Sequence, residues 1–175
     1  TVILENIILA IIAGGCTITA NAGTAGLNLP NNTGSKRKGV LVSATAGELV
    51  FMVSISGAVG LGSAAIAGVV NTLVMLNTVK AQIKSKLADP DTGEDTTEGE
   101  HTIKSGDEVA VESEDDSWLL NIAGGIAASA GAAGIGATLV VIVFNKDVTA
   151  SVGSDGTITA NGAVTVGAST TAHMI

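Results

Sequence analysis

The sequence predicts an all-β protein, a parallel β-solenoid in the form of a right-handed β-helix built from degenerate repeats, and three observations carry that expectation. First, the chain repeats itself at a constant shift of 69: segments beginning at Val40, Gly62 and Val79 recur at Val109, Gly131 and Val148 (109 − 40, 131 − 62 and 148 − 79). Self-similarity at a fixed period marks a stacked architecture. Second, segments such as Val148-Thr149-Ala150-Ser151-Val152 and Ala163-Val164-Thr165-Val166 alternate apolar and polar residues with the period of a strand, and Gly-Ser-Asp-Gly and Ala-Asn-Gly separate them. Third, the composition is 46% hydrophobic but only 2% aromatic, with no Tyr and 23 Gly. An interior filled by Val, Ile, Leu, Ala and Gly suits closely spaced backbone layers.

Taken in order, the amino end is a worn copy of the same motif. Thr17-Ile18-Thr19-Ala20-Asn21 recurs as Thr157-Ile158-Thr159-Ala160-Asn161, a shift of 140 (157 − 17), which lays residues 1–16 on 141–156. The 175 residues then read as one repeat domain. Residues 1–39 form a partial unit with a basic loop insert, 40–108 a unit with an acidic loop insert, 109–163 a unit, and 164–175 the start of the next. The inserts follow from lengths: Ile18 to Val40 spans 22 positions where Ile103 to Val109 spans 6, and Ile83 to Ile103 spans 20 where Val152 to Ile158 spans 6. Both inserts hold turn chemistry and the only two prolines, Pro30 and Pro90.

Two uncharged runs, 49–79 and 118–145, are each long enough to cross a bilayer as a helix. They set up the alternative reading, a membrane-inserted helical protein. The second run passes through Val140, Val141, Ile142 and Val143 into a clear strand pattern, so the expectation is strand, buried on both faces.

The formal charge of −8 and the sequence pI of about 4.5 exclude an extended basic surface for nucleic acid. Lys36-Arg37-Lys38 is too short to supply one and reads as a solvated loop tip. Asp89, Asp91, Asp95 and Glu100 occupy positions 1, 3, 7 and 12 of a candidate calcium loop, with Thr97 at position 9. Calcium needs clustered oxygen ligands of this kind. Against it, Gly93 falls at position 5 rather than 6, and 102–111 reads as strand rather than exit helix, so a plain acidic loop competes. No other cofactor and no catalytic residue is expected. The cluster Glu112-Ser113-Glu114-Asp115-Asp116 has no basic neighbour in sequence and reads as a solvated turn, while Gly153-Ser154-Asp155-Gly156 reads as a tight turn. Cys16 stands opposite Gly156 in the repeat, and His101 and His173 are placed at unrelated positions, so no Cys/His pair is expected. Asn31-Asn32-Thr33 matches the N-glycosylation acceptor pattern.

The stretch Ser117-Trp118-Leu119-Leu120-Asn121-Ile122-Ala123-Gly124-Gly125, with Gly134-Ile135-Gly136-Ala137, Val143-Phe144-Asn145-Lys146-Asp147-Val148-Thr149-Ala150 and Thr157-Ile158-Thr159-Ala160-Asn161-Gly162, resembles the repeats of large secreted bacterial filamentous adhesins of the leukotoxin-like and filamentous-haemagglutinin-like kind. The resemblance implies a non-enzymatic β-helical stalk, extracellular or at the cell surface. Its partners would be neighbouring repeats or further copies of itself along a fibre axis, and a host or cell-surface receptor. The first residues carry no basic leader and no cleavage-type ending, which points to a fragment or processed product. Both ends are expected to present open strand edges that another chain can extend.

Overall fold

The computed structural model describes residues 1–21, 38–62, 64–85, 87–88, 95–96, 99–131 and 133–175, and every regular element among them is a strand. In chain order these are β1 (Val2–Ile12), β2 (Thr17–Ala20), β3 (Gly39–Gly60), β4 (Ala64–Ile83), β5 (Leu87–Ala88), β6 (Asp95–Thr96), β7 (His101–Ser105), β8 (Glu108–Ser129), β9 (Ala133–Val152), β10 (Gly156–Ala160) and β11 (Val164–Met174). Nine of them form three parallel three-stranded sheets, ordered β1-β4-β9, β2-β7-β10 and β3-β8-β11. Each sheet therefore takes one strand from each successive third of the chain. β5 and β6 pair antiparallel within the second insert.

The register follows the sequence repeat. β3 lies on β8 with Val40 against Val109, and β4 on β9 with Val79 against Val148, both at the shift of 69. β8 lies on β11 with Val109 against Val164. Along the first sheet Val2 meets Leu73 and Leu73 meets Ile142, which reproduces the shift of 140. Like side chains consequently stack in ladders, as in Ile18–Ile103–Ile158 and Ala10–Ala81–Ala150. A parallel ladder aligns equal positions of adjacent strands, so a repeat that keeps its spacing keeps its register.

The inward positions form two apolar clusters. The larger one lies where all three sheets meet and includes Val42, Val79, Ile83, Ile103, Val109 and Val111. The smaller one comprises Val50, Leu73, Met75 and Leu119. Beyond it the first and third sheets run on as a narrow two-layered blade. There β8 past Asn121 pairs only with β3, and β4 before Leu73 pairs only with β9. The blade tip is tied by Ala130 N–H donating to Gly60 O at 3.1 Å and by Ser129 Oγ donating to Gly62 O at 3.0 Å.

Blade residues alternate in a way that corrects one expectation. Among the described residues the runs 49–79 and 118–145 are strand apart from the turns at 61–62 and 130–131, and within the blade β3, β4 and β8 are covered on one face only while residues 133–141 of β9 are exposed on both. Ala65 and Ala67 point inward, whereas Leu49 is 82% exposed and Ile55, Val59 and Ile126 are also outward. The layers are too close for larger inward groups: a Cβ built on Gly136 would stand 2.5 Å from Gly125 O, and one on Gly134 would collide with Ala127 O. Small residues therefore face inward and large aliphatic residues face out. The helical alternative fails over both runs, and no helix of the described residues is long and apolar enough to cross a membrane.

Candidate functional site

Between the two apolar clusters a polar seam crosses all three passes of the chain. Asn6, Asn77 and Lys146 share one register row of β1, β4 and β9. Facing them from the third sheet are Glu48 on β3, and Asp115 and Ser117 on β8. In the first pass Asn6 Nδ2 donates to Glu48 Oε1 at 2.9 Å. In the second, Asn77 Nδ2 donates to Asp115 Oδ2 at 2.9 Å. In the third, Lys146 Nζ donates to Thr171 O at 2.9 Å. Three further bonds join the passes: Ser117 Oγ to Glu48 Oε2 at 2.6 Å, Lys146 Nζ to Asp115 Oδ1 at 2.7 Å, and Lys146 Nζ to Ser117 Oγ at 2.8 Å.

This seam corrects the reading of residues 112–116 as a solvated turn. They lie in the middle of β8, and the strand period divides them: Ser113, Asp115 and Ser117 turn inward, while Glu112, Glu114 and Asp116 turn outward. Asp115 is wholly inaccessible, and its basic partner Lys146 is 31 residues away. Burial pushes the Asp115 carboxyl up, but the bonds from Lys146, Asn77 and Ser117 and the lysine charge together hold it below the usual carboxylate range. A carboxyl lowered in the folded state contributes stability that is present above its unfolded value, about pH 3.9, and is lost as pH falls through the folded value. Below about pH 4 the protein is therefore expected to lose stability more steeply than its Asp115→Asn variant, as measured by urea unfolding across an acid pH series.

Cys16, unpaired and half-buried, sits at the turn between β1 and β2, and the position of His101 needs correction. By register, one step before the Thr17–Thr102 pair, His101 is the counterpart of Cys16, and it pairs with Gly156. His101 is buried, and its ring occupies the space that a side chain at position 156 would need. Gly156→Ala is accordingly expected to destabilise the chain by about 1–3 kcal/mol in thermal unfolding, because the imidazole must move within a packed interior. Gly153-Ser154-Asp155-Gly156 does connect two strands, β9 and β10. His173 stacks on Trp118 with ring centroids 3.9 Å apart and its Nε2 3.6 Å from Asp116 Oδ1, on the outer face where the charged row of β8 gives way to the apolar blade.

Asp89 and Asp91 lie outside the described residues, as do Asn31-Asn32-Thr33 and most of the basic loop. Of the other two proposed calcium ligands, Asp95 lies in β6 and Glu100 precedes β7, and no group of acidic, His or Cys side chains that could hold a metal ion occurs among the described residues.

The surfaces with most capacity for assembly are the sheet edges. β1, β2 and β3 form one end of the stack and β9, β10 and β11 the other. Among the described residues no strand pairs with their outer edges. Unpaired backbone N–H and C=O groups in a row are a template for another strand. No family model matches the sequence, and no curated protein or solved structure matches it either.

Proposed function

We propose that the chain is a segment of parallel β-solenoid, wound as a right-handed β-helix, that serves as a non-enzymatic structural module of an extracellular adhesin or fibre. The observation that carries this reading is the stack itself: three passes in one register, with three parallel strand edges open at each end among the described residues. Such a stack extends by adding passes, because the row that ends at Val164 offers the same ladder that Val40 and Val109 already share. A heterologous contact of this kind does not close, so it propagates along an axis. The sequence resemblance to adhesin repeats supports the extracellular assignment, and neighbouring repeats or further copies are the axial partners. A host or cell-surface receptor would then be met by side chains on the outer faces or by the inserts.

The test is fibre diffraction and electron microscopy of the concentrated chain. Rods with a spacing of about 4.8 Å along their long axis are expected, since parallel passes stack at that distance. Particles that stay short at every concentration and show no axial 4.8 Å order would overturn axial assembly by this chain.

A further inference from the structure

The outer face of β3 and β8 on the blade carries no charge from Leu49 and Trp118 to the tip. We infer that this face is an isologous interface that packs against the same face of a second copy, blade against blade in opposite directions. The interface is lateral and does not depend on axial stacking.

Area is the first argument. Eight large apolar side chains on this face, among them Leu49, Phe51, Ile55, Val59, Trp118 and Ile126, are 45–82% exposed. With the two-fold axis between the rows of Ile55 and Gly57, the rows of Leu49 and Phe51 fall at or past the partner's tip, so Val53, Ile55, Val59, Ile122 and Ile126 are the side chains covered. At on the order of 100 Å² each they bury on the order of 500 Å² per copy and so about 1,000 Å² in total, the lower end of a specific interface. The whole face, with all eight side chains, leaves on the order of 800 Å² of apolar surface in water, more than the largest patch of a typical monomer at about 300–600 Å².

Relief is the second argument, and it selects a second copy as occupant. Ile55 lies beside Gly124, and two residues nearer the tip Gly57 lies beside Ile126. Large and small positions thus exchange between the two strands from one outward row to the next. A Cβ at Gly124 would meet nothing within 4 Å, so the hollow is open. A two-fold axis across the strands, passing between these rows, sets Ile55 of each copy over Gly57 of the other and Ile126 over Gly124. The face is complementary to itself when the blades run in opposite directions, as an isologous contact requires.

Charge fixes the same direction. Immediately inward of Trp118 the outward positions of β8 become Asp116, Glu114 and Glu112. Blades laid side by side in the same direction would bring these rows together, at a cost for like charges. Opposed blades carry each row past the partner's tip into water. A lipid surface is the competing occupant for an apolar blade. The blade's unpaired strand edges count against it, because backbone groups without partners are not tolerated in hydrocarbon.

Sedimentation velocity over a concentration series tests the proposal, with the variants Ile55→Lys, Gly124→Val and Ile66→Lys, the last on the outer face of β4. The wild-type chain is expected to pass from monomer to dimer. Ile55→Lys should weaken dimerisation by on the order of 100-fold or more, because it buries an unpaired charge. Gly124→Val fills the hollow with a strand-favouring residue, leaves the interior untouched and should weaken dimerisation by on the order of 10-fold or more. Ile66→Lys should leave it unchanged. A chain that stays monomeric throughout, or one whose dimer responds to Ile66→Lys and not to the other two, overturns the proposal. Flotation of the wild-type chain with phosphatidylcholine vesicles, abolished by Ile55→Lys, would assign the face to lipid and overturn it equally.

Discussion

Replacing Asp115 by alanine is expected to lower the stability of the chain by about 3–5 kcal/mol, the usual consequence of removing one member of a buried ion pair. The carboxylate is wholly inaccessible, and the side chain of Lys146 is only 9% exposed. Without Asp115 the ammonium keeps Ser117 Oγ at 2.8 Å and Thr171 O at 2.9 Å but has no counter-charge. Asn77 Nδ2 loses its acceptor at the same time. Two controls separate this account from a general intolerance of the strand. Glu114→Ala, one residue away and outward, should change stability by no more than about 0.5 kcal/mol. The double variant Asp115→Leu with Lys146→Met should recover part of the loss, since it removes the uncompensated ammonium while Asn77 Nδ2 stays without its acceptor. Chemical unfolding of the four proteins gives the comparison. A double variant as unstable as Asp115→Ala would mean that the seam acts through shape rather than charge.

The second large effect is expected at the blade, where Gly134→Val and Gly136→Val should each cost about 1–3 kcal/mol by forcing the layers apart. Neither glycine is required by its backbone angles: among the described glycines positive φ is confined to Gly15 at 77° and Gly39 at 109°. Space is the requirement, since the first added carbon already meets the backbone of β8 at Ala127 or Gly125. Gly124→Ala provides the contrast, because that position faces outward with nothing within 4 Å. Replacing a strand glycine there should be neutral or slightly stabilising. Amide hydrogen exchange localises the effect. In the valine variants protection should fall in 50–60 and 120–129 while amides of the three-sheet body, near Val79 and Val109, keep theirs.

The repeat made the register legible. Equal residues at a constant shift, Val40 with Val109 or Ala64 with Ala133, are the partners that parallel pairing brings together. The inserts were legible for the same reason, since a change in spacing between matched residues marks added chain, although the short antiparallel pair β5–β6 within the second insert leaves no trace in the spacing. What the repeat does not encode is which strand faces which across the interior. Asp115 on β8 and Lys146 on β9 belong to different sheets and different passes, so no shift connects them. A charged residue inside each of two apolar strands was the available signal, together with the placing of Asp115 on the same side as Ser113 and Ser117. The acidic insert before His101 hides its place in the unit, although adding the 55-residue spacing that separates Ile103 from Ile158 puts it opposite Gly156. The blade was misread because continuous apolar sequence describes equally a strand buried on both faces and one whose outer face is itself apolar.

The seam also bears on how a chain of ladders keeps one register. Val, Ala and Ile stack nearly as well after a slip of two residues, since the period of the pleat is two. A slip of two along β9 would carry Lys146 away from Asp115 and leave both charges buried and unpaired. Buried polar contacts are best attested in this register-setting role.

Spin labels on the third sheet give the most direct test of the stacked passes. Thr45, Glu114 and Ser169 share one row of β3, β8 and β11. With Cys16 replaced by Ser and cysteines placed at Thr45 and Ser169, labels two strands apart are separated by roughly 10 Å at the backbone. Strong dipolar broadening is expected in the native chain and should vanish on denaturation. Sharp, uncoupled spectra from the folded double-labelled chain would contradict the stack.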